Sequence, residues 1–328
     1  MNASIPPKSA GRRPLRRSVT APLLVLAIFV MLLLTRLLDA RVLNGENEQF
    51  ATIILELMIF LLPAAVYLRL TGRRLSQLRL NFFGLGHLLI VLSAMLLLTC
   101  GSLLLDLAAR GSGVLTQNYD LYGIFTSHND GSAASVLYII LAYAAIPAVC
   151  EEFVFRALLC SEYERRSAAA AVIMPTLFFA MIHFDVSHLP TYLFAGLVLT
   201  LTYYATKSAA APILVHAVNN LLTIFGRQYI QVLYDLGGQK LFFFLAAAAA
   251  LFSGFIFCAE AARAYKIYAV RGDDPGYREM DPPYTLSEGR NALAELAVRY
   301  PRLTATLESI FSLPALLCYL FYAAAVLL

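Results

Sequence analysis

The chain has 328 residues, of which 60% are hydrophobic and only 14% are charged, and it contains no Trp. Soluble domains are about 25% charged, so this composition excludes an ordinary water-soluble enzyme and indicates a membrane protein. The net charge of +4 is small, and the basic residues cluster beside apolar runs, so the charge indicates membrane topology and not a nucleic-acid partner.

Apolar runs long enough to cross a bilayer, at roughly 20 residues each, recur along the whole chain. They lie near residues 20–38, 51–68, 84–108, 135–160, 168–186, 189–206, 209–225, 241–262 and 311–328. Backbone polar groups in lipid must be satisfied within their own segment, so runs this long predict helices and not barrel strands. We therefore expect an all-α fold, a polytopic transmembrane helical bundle of about eight or nine helices embedded in the lipid bilayer.

The basic tail at residues 1–19 precedes the first apolar run, as in a secretory signal. That run is about 18 residues long, beyond the roughly 7–15 residues of a signal core, and no small-residue cleavage site follows it. We therefore predict an uncleaved anchor. Because Lys and Arg favour the cytoplasmic side, the N-terminus is expected to be cytoplasmic.

The charges of the next loops agree with this topology, with Glu46 and Glu48 outside and an Arg-rich loop after the second run inside. A short surface helix is predicted from Ser287, where a cap residue is followed by apolar residues at helical spacing. The Ala-rich spans favour a bacterial plasma membrane. The predicted segments are a bundle at 20–262, a cytoplasmic loop at 263–309 and a C-terminal transmembrane helix at 310–328.

The stretch CEEFVFR places Glu151, Glu152 and Arg156 inside an apolar run. A charge at mid-membrane costs roughly 2.5 to 3.5 kcal/mol, so these groups must face protein or water. Glu152 and Arg156 are four residues apart and can pair on one helix face, whereas Glu151 is rotated by about 100°. One carboxylate is then neutralised and the other remains available for proton transfer, although a purely structural ion-pair cluster is also compatible with these three residues.

Two histidines, His183 and His216, also lie within apolar runs. Depth can be counted from the predicted inside turn near Arg166. Glu151 is 15 residues before Arg166 and His183 is 17 after it. At 1.5 Å per residue both lie roughly 22 to 26 Å from the turn on antiparallel neighbouring helices, so they can face each other. The depth match for His216 is looser. The spacing of four residues recurs twice more, between Phe179 and His183 and between His216 and Asn220, so three helices each present a polar patch to a shared interior.

These three patches resemble the motifs EExxxR, FxxxH and HxxxN of the CPBP family of intramembrane proteases. That family includes the CAAX prenyl proteases of the Rce1 type and bacterial relatives, the Abi proteins, linked to bacteriocin processing and immunity. The match covers residues 135–225, the CPBP-like core of the bundle.

The resemblance implies an intramembrane endopeptidase that hydrolyses a peptide bond of a membrane-associated peptide or protein. Glu151 would activate water, with His183 holding it, and His216 and Asn220 would stabilise the oxyanion. Glu152, Arg156 and Phe179 would support the site.

The family is also described as metalloproteases, and the candidate zinc ligands here are Glu151, His183 and His216. No HExxH motif is present, and the resemblance is equally compatible with a metal-free mechanism driven by glutamate. No cofactor is therefore required by the sequence.

Two other functions use similar residues. A noncatalytic membrane scaffold or bacteriocin-immunity protein of the same fold would keep Glu152 and Arg156 for stability and bind a partner with the histidines. A proton-coupled transporter also buries carboxylates, but the inverted repeats typical of many such proteins are not found.

Overall fold

The structure is a computed structural model, and it describes residues 17–42, 48–110, 130–164, 167–270 and 301–327. Within these ranges the chain is helical and contains no strand, which confirms the all-α class. The helices are α1 Arg17–Val42, α2 Glu48–Thr71, α3 Leu88–Arg110, α4 Ala133–Tyr163, α5 Ala168–Met181, α6 Leu189–Thr206, α7 Ala210–Phe225, α8 Arg227–Val270, α9 Pro301–Ile310 and α10 Leu313–Leu327.

Fewer helices qualify as membrane spans than the eight or nine expected. By length and composition the described chain has four, and a fifth if α9 and α10, bent by 43°, form one span. The four are Ala51–Thr71, Leu85–Ala108, Ala133–Tyr163 and Val232–Ile267. The difference arises because several apolar helices are short: α5 has 14 residues and rises about 21 Å, against a hydrocarbon core of about 30 Å.

Two π-helical segments, Leu141–Ala145 and Phe153–Cys160, interrupt α4. Between them lies an α-helical stretch, Ile146–Glu152, which ends with both adjacent carboxylates. π-Turns are rare and often accompany functional sites. The sequence pattern did not predict them, because hydrophobic periodicity does not distinguish one extra residue in a turn.

Helix α4 occupies the centre of the bundle. Its α-helical middle packs against α2 and α7, and its second π-helical segment packs against α5. That segment is almost wholly buried, with Val154, Phe155 and Leu158 at 0% exposure. The charged residues of α4 are therefore enclosed by protein and not exposed to lipid, as their cost in hydrocarbon requires.

Ion pairs join the loops at one end of the bundle. Arg73 Nη1 donates to Glu162 Oε1 at 2.9 Å, and Arg79 Nη2 donates to Glu164 Oε1 at 2.7 Å. The backbone N–H of Ala209 donates to the carbonyl oxygen of Arg79 at 2.8 Å. The Arg-rich loop predicted to be cytoplasmic thus contacts the C-terminal end of α4 and the residue before α7, while the orientation of this end in the membrane remains a prediction.

Two predicted features lie outside the described residues. These are most of the basic tail, up to residue 16, and the surface helix predicted from Ser287. The first described helix after residue 270 is α9, which begins at Pro301.

Candidate active site

The predicted ion pair between Glu152 and Arg156 is present and fully buried. Arg156 Nη1 donates to Glu152 Oε1 at 2.8 Å, and both side chains have 0% exposure. Arg156 Nη2 donates to the carbonyl oxygen of Gly196 on α6 at 3.1 Å. Its guanidinium carbon lies 4.3 Å from the centre of the Phe179 ring, a cation–π geometry. Arg156 therefore ties α4 to α5 and α6.

His216 on α7 completes this network. Its Nδ1 lies 2.9 Å from Oε1 of Glu152, the same oxygen that accepts from Arg156. An ionised carboxylate only accepts hydrogen bonds, so Nδ1 of His216 carries the proton of this contact. Glu152 therefore contacts both the imidazole of His216 and the guanidinium of Arg156 through one oxygen.

His183 lies two residues after the end of α5. Like His216, it carries its proton on Nδ1, but the acceptor is a backbone carbonyl. Its Nδ1 lies 3.0 Å from the carbonyl oxygen of Phe179, so Nδ1 donates and Nε2 is left with a lone pair. The next residue, Phe184, has φ +48°, a left-handed conformation that ends the helical path directly after His183. Tyr192 of α6 stacks on the imidazole, with ring centres 3.8 Å apart and planes at 15°. The ring of His183 is thus fixed in both position and plane.

Phe179 lies between the cation and the two imidazoles. Its ring centre is 5.4 Å from that of His183 and 5.7 Å from that of His216. It also makes an edge contact with Phe155 of α4 at 5.6 Å. The Phe of the FxxxH motif is therefore a packing residue that sets the distance between the functional groups on three helices.

Glu151 differs from its neighbour Glu152 in having no ion-pair partner within the described chain. It is 9% exposed, and its buried Oε2 has no hydrogen-bond partner among the described residues. Within the same ranges the structure forms no hydrogen bond between Glu151 and His183. The sequence thus predicted correctly which of the two carboxylates is neutralised.

Asn220 lies half-buried on α7, one turn beyond His216. Its neighbour Asn219 has a structural contact instead, because its Oδ1 accepts from Thr99 Oγ1 of α3 at 3.5 Å. The adjacent asparagines therefore have different environments.

The site lies on α4, α5, α6 and α7, and this part of the chain matches a known family. Residues 133–222 match the family model described as type II CAAX prenyl endopeptidase Rce1-like. This confirms the resemblance drawn from the three motifs, and all seven predicted site residues lie within the match. No match was found among curated proteins or among solved structures.

Two residues outside the three motifs also belong to the surroundings of the candidate site. Glu56 on α2 interacts electrostatically with Cys150 and Glu151. A Glu within the apolar run at 51–68 is itself a signal of function, although it was not among the predicted site residues. Tyr192, which stacks on His183, has no such signal, because an aromatic residue in an apolar helix is usually core.

The candidate zinc ligands do not fit a metal ion as they are arranged. In the described ranges no three His, Cys, Asp or Glu side chains lie close enough together to hold one. His216 is bound to Glu152 and not to Glu151. Zinc binding remains a prediction, and no step below depends on it.

Proposed function

We propose that the protein is an intramembrane endopeptidase of the CPBP type, which hydrolyses a peptide bond of a membrane-associated substrate with a water molecule activated by Glu151. The family match supports a membrane function of the CAAX-protease type. The observation that carries the finer proposal is the difference in ion pairing between the adjacent carboxylates Glu151 and Glu152. Oε1 of Glu152 binds Arg156 and His216, whereas Glu151 has no ion pair among the described residues. Oε2 of each carboxylate is buried without a hydrogen-bond partner in the same residues, so the two acids differ in their ion pairs.

In this mechanism Glu151 accepts a proton from water while the water oxygen bonds to the carbonyl carbon of the peptide. Nε2 of His183, left with a lone pair by the contact of Nδ1 with Phe179, accepts a hydrogen bond from the same water and orients it. The tetrahedral adduct collapses with cleavage of the C–N bond, and Glu151 returns its proton to the leaving nitrogen. No external oxidant, reductant or cofactor enters this balance.

The oxyanion of the adduct needs hydrogen-bond donors. His216 has committed Nδ1–H to Glu152, so it donates from Nε2 only as the imidazolium. Asn220 donates from a neutral amide at any pH and is therefore the more constant donor. The network of Arg156, Glu152 and His216 supplies the fixed positions that such stabilisation requires.

The proposal is tested in two steps with Glu151→Gln, which keeps the shape of the side chain and removes its basicity. Comparison of membrane proteomes from cells carrying the parent or the variant should reveal a precursor that stays uncleaved in the variant. The purified full-length proteins are then compared on that substrate in proteoliposomes.

We expect Glu151→Gln to lower the cleavage rate by at least about 100-fold, with the melting temperature unchanged. The matched control is Glu260→Gln, which alters an exposed pair with Arg263 and should leave cleavage intact. Cleavage by Glu151→Gln at the parental rate would reject the proposal and favour the noncatalytic scaffold.

A further inference from the structure

The loop between α2 and α3, residues 72–84, exposes large apolar side chains where it joins two of the candidate membrane spans. Phe82, near the end of the loop, is 88% exposed, and Leu85, the first residue of the following span, is 91% exposed. Leu70, in the last turn of α2, is 82% exposed. Apolar side chains that are exposed as a group mark a surface that contacts a membrane or another apolar partner.

Contacts with other helices hold the loop in place behind these side chains. Arg73 and Arg79 form ion pairs with the C-terminal end of α4, and Leu78 between them is buried at 6% exposure. Ser208, just before α7, donates from its hydroxyl to the carbonyl oxygen of Asn81. The residue that precedes Phe82 is thus tied to the bundle, so the ring of Phe82 is held on the outer side of the loop.

The same loop is basic. Residues 57–105 contain no Asp or Glu, whereas four Arg lie between residues 69 and 79. Two of the four pair with acids of α4, and the other two, Arg69 and Arg74, are exposed. Exposed Arg beside exposed apolar side chains is the composition of segments that lie in the interface of an anionic membrane.

The position of the loop selects lipid as the partner of this surface. Both ends of the loop meet the ends of spans, so the loop lies at one surface of the membrane, where hydrocarbon gives way to headgroups. Aromatic side chains favour this level, and guanidinium groups bind phosphate. We propose that the loop inserts Phe82 and Leu85 into the interface of one leaflet, where Arg69 and Arg74 bind the phosphates of anionic phospholipids. This inference does not depend on the proposed endopeptidase function.

The sequence contains no Trp, so a single introduced Trp reports on its own surroundings without background. Phe82→Trp places this probe on the loop of the full-length protein. The variant is reconstituted into vesicles of phosphatidylcholine and phosphatidylglycerol in which one lipid carries bromine, either near the headgroup or near the middle of the acyl chains. Bromine quenches Trp fluorescence on contact, so the loss of fluorescence measures contact with lipid at each depth.

Two control variants bracket the expected result. Phe178→Trp makes the same change at a fully buried position, and Leu62→Trp places the probe at a 45% exposed position near the middle of the α2 span. We expect Phe82→Trp to lose most fluorescence with bromine near the headgroup, and Leu62→Trp to lose most with bromine in the middle of the chains. Phe178→Trp should lose little with either lipid.

The choice of anionic lipid is tested with the same probe. Quenching of Phe82→Trp by brominated phosphatidylglycerol is compared with quenching by brominated phosphatidylcholine. We expect a preference for phosphatidylglycerol that falls by about fivefold when Arg69→Gln and Arg74→Gln are added, and that also falls at high salt. Arg302→Gln is the matched control, because it removes an exposed Arg from α9, which packs against α5, and should leave the preference unchanged.

The insertion is overturned if neither brominated lipid quenches Phe82→Trp. Emission at long wavelength would then place the loop in water, and emission at short wavelength would show that protein covers it, either another part of the chain or a second copy. Equal quenching by the two headgroups, unchanged by Arg69→Gln and Arg74→Gln, would overturn the binding of anionic lipid. If Phe82→Trp does not fold, Leu85→Trp decides by the same measurements.

Discussion

Oε1 of Glu152 lies 2.9 Å from Nδ1 of His216, a contact between two helices whose residues are 64 positions apart in the sequence. The same oxygen accepts from Arg156 at 2.8 Å. One carboxylate oxygen therefore joins the motif on α4 to the motif on α7. In the proposed mechanism this contact places the imidazole that faces the substrate carbonyl.

Removal of the cation from this network should destabilise the protein strongly. In Arg156→Met the buried carboxylate of Glu152 loses its balancing charge, so we expect a loss of about 3–5 kcal/mol in unfolding free energy. Arg156→Lys keeps the charge but not the planar pair of N–H groups that reaches both Glu152 and Gly196, so it should fall between Arg156→Met and the parent. Both are measured by chemical unfolding in detergent.

The control for this prediction is Arg263→Met. Arg263 pairs with Glu260 at the surface, with 49% of its side chain exposed, so its loss should cost less than about 1 kcal/mol. Equal effects of Arg156→Met and Arg263→Met would contradict a structural role for the buried pair.

Asn220 and Asn219 offer a test of the oxyanion donor within one sequence motif. Asn220→Ala should lower kcat by about 100-fold to 1000-fold with little change in KM, because the lost hydrogen bond acts in the transition state. Asn219→Ala should instead affect stability slightly, through the contact with Thr99, and leave kcat near the parental value. A larger loss of kcat in Asn219→Ala than in Asn220→Ala would reverse the assignment of the two amides.

Phe179 should matter for activity beyond its contribution to the core. Phe179→Leu removes the ring that contacts Arg156 and both imidazoles, so cleavage should fall by about tenfold or more along with a loss of about 1–3 kcal/mol. Phe178→Leu is the matched variant, since Phe178 is fully buried but packs toward Tyr319 of α10. It should lose similar stability and keep its cleavage rate once folded. Parallel loss of activity in both variants would indicate a general packing effect.

Gly196 allows α5 and α6 to approach closely beside the site. A Cβ at this position would lie 3.1 Å from the carbonyl oxygen of Thr176 and 3.2 Å from Cδ1 of Phe179. Gly196→Ala therefore requires Thr176 or Phe179 to shift by a few tenths of an ångström. We expect a loss of about 1–3 kcal/mol and a weaker hydrogen bond from Arg156 to the Gly196 carbonyl.

Gly254 provides the comparison for Gly196. A Cβ there would lie 3.5 Å from Leu97, an ordinary van der Waals distance, so Gly254→Ala should leave the melting temperature unchanged or raise it slightly. A thermal shift assay on both variants distinguishes the cases. A melting temperature for Gly196→Ala at or above that of Gly254→Ala would show that the helices accommodate the methyl group.

Local contacts within the site followed from spacing alone. Glu152 and Arg156 pair four residues apart because helix geometry brings such positions together, and the same rule places Phe179 against His183. The cost of charges in hydrocarbon predicted that these groups face the interior, and the structure buries them there.

Contacts between helices could not be predicted from residue spacing. Counting residues along the helices gave His216 a looser depth match than His183, yet its imidazole reaches Glu152. Residue counts assume straight helices, whereas α4 contains two π-helical segments that rotate its side chains. The sequence pattern also did not predict the stacking of Tyr192 on His183, because this contact depends on how α6 packs against α5.

The sequence by itself determined the all-α membrane class, the seven motif residues and the choice of Glu151 as the unpaired acid. These follow from composition and from contacts within one helix, where spacing fixes distance. Only the tertiary structure decided that Glu152 bonds His216 and that Tyr192 stacks on His183. Such contacts depend on the rotation and tilt of one helix against another, which result from the packing of many side chains together.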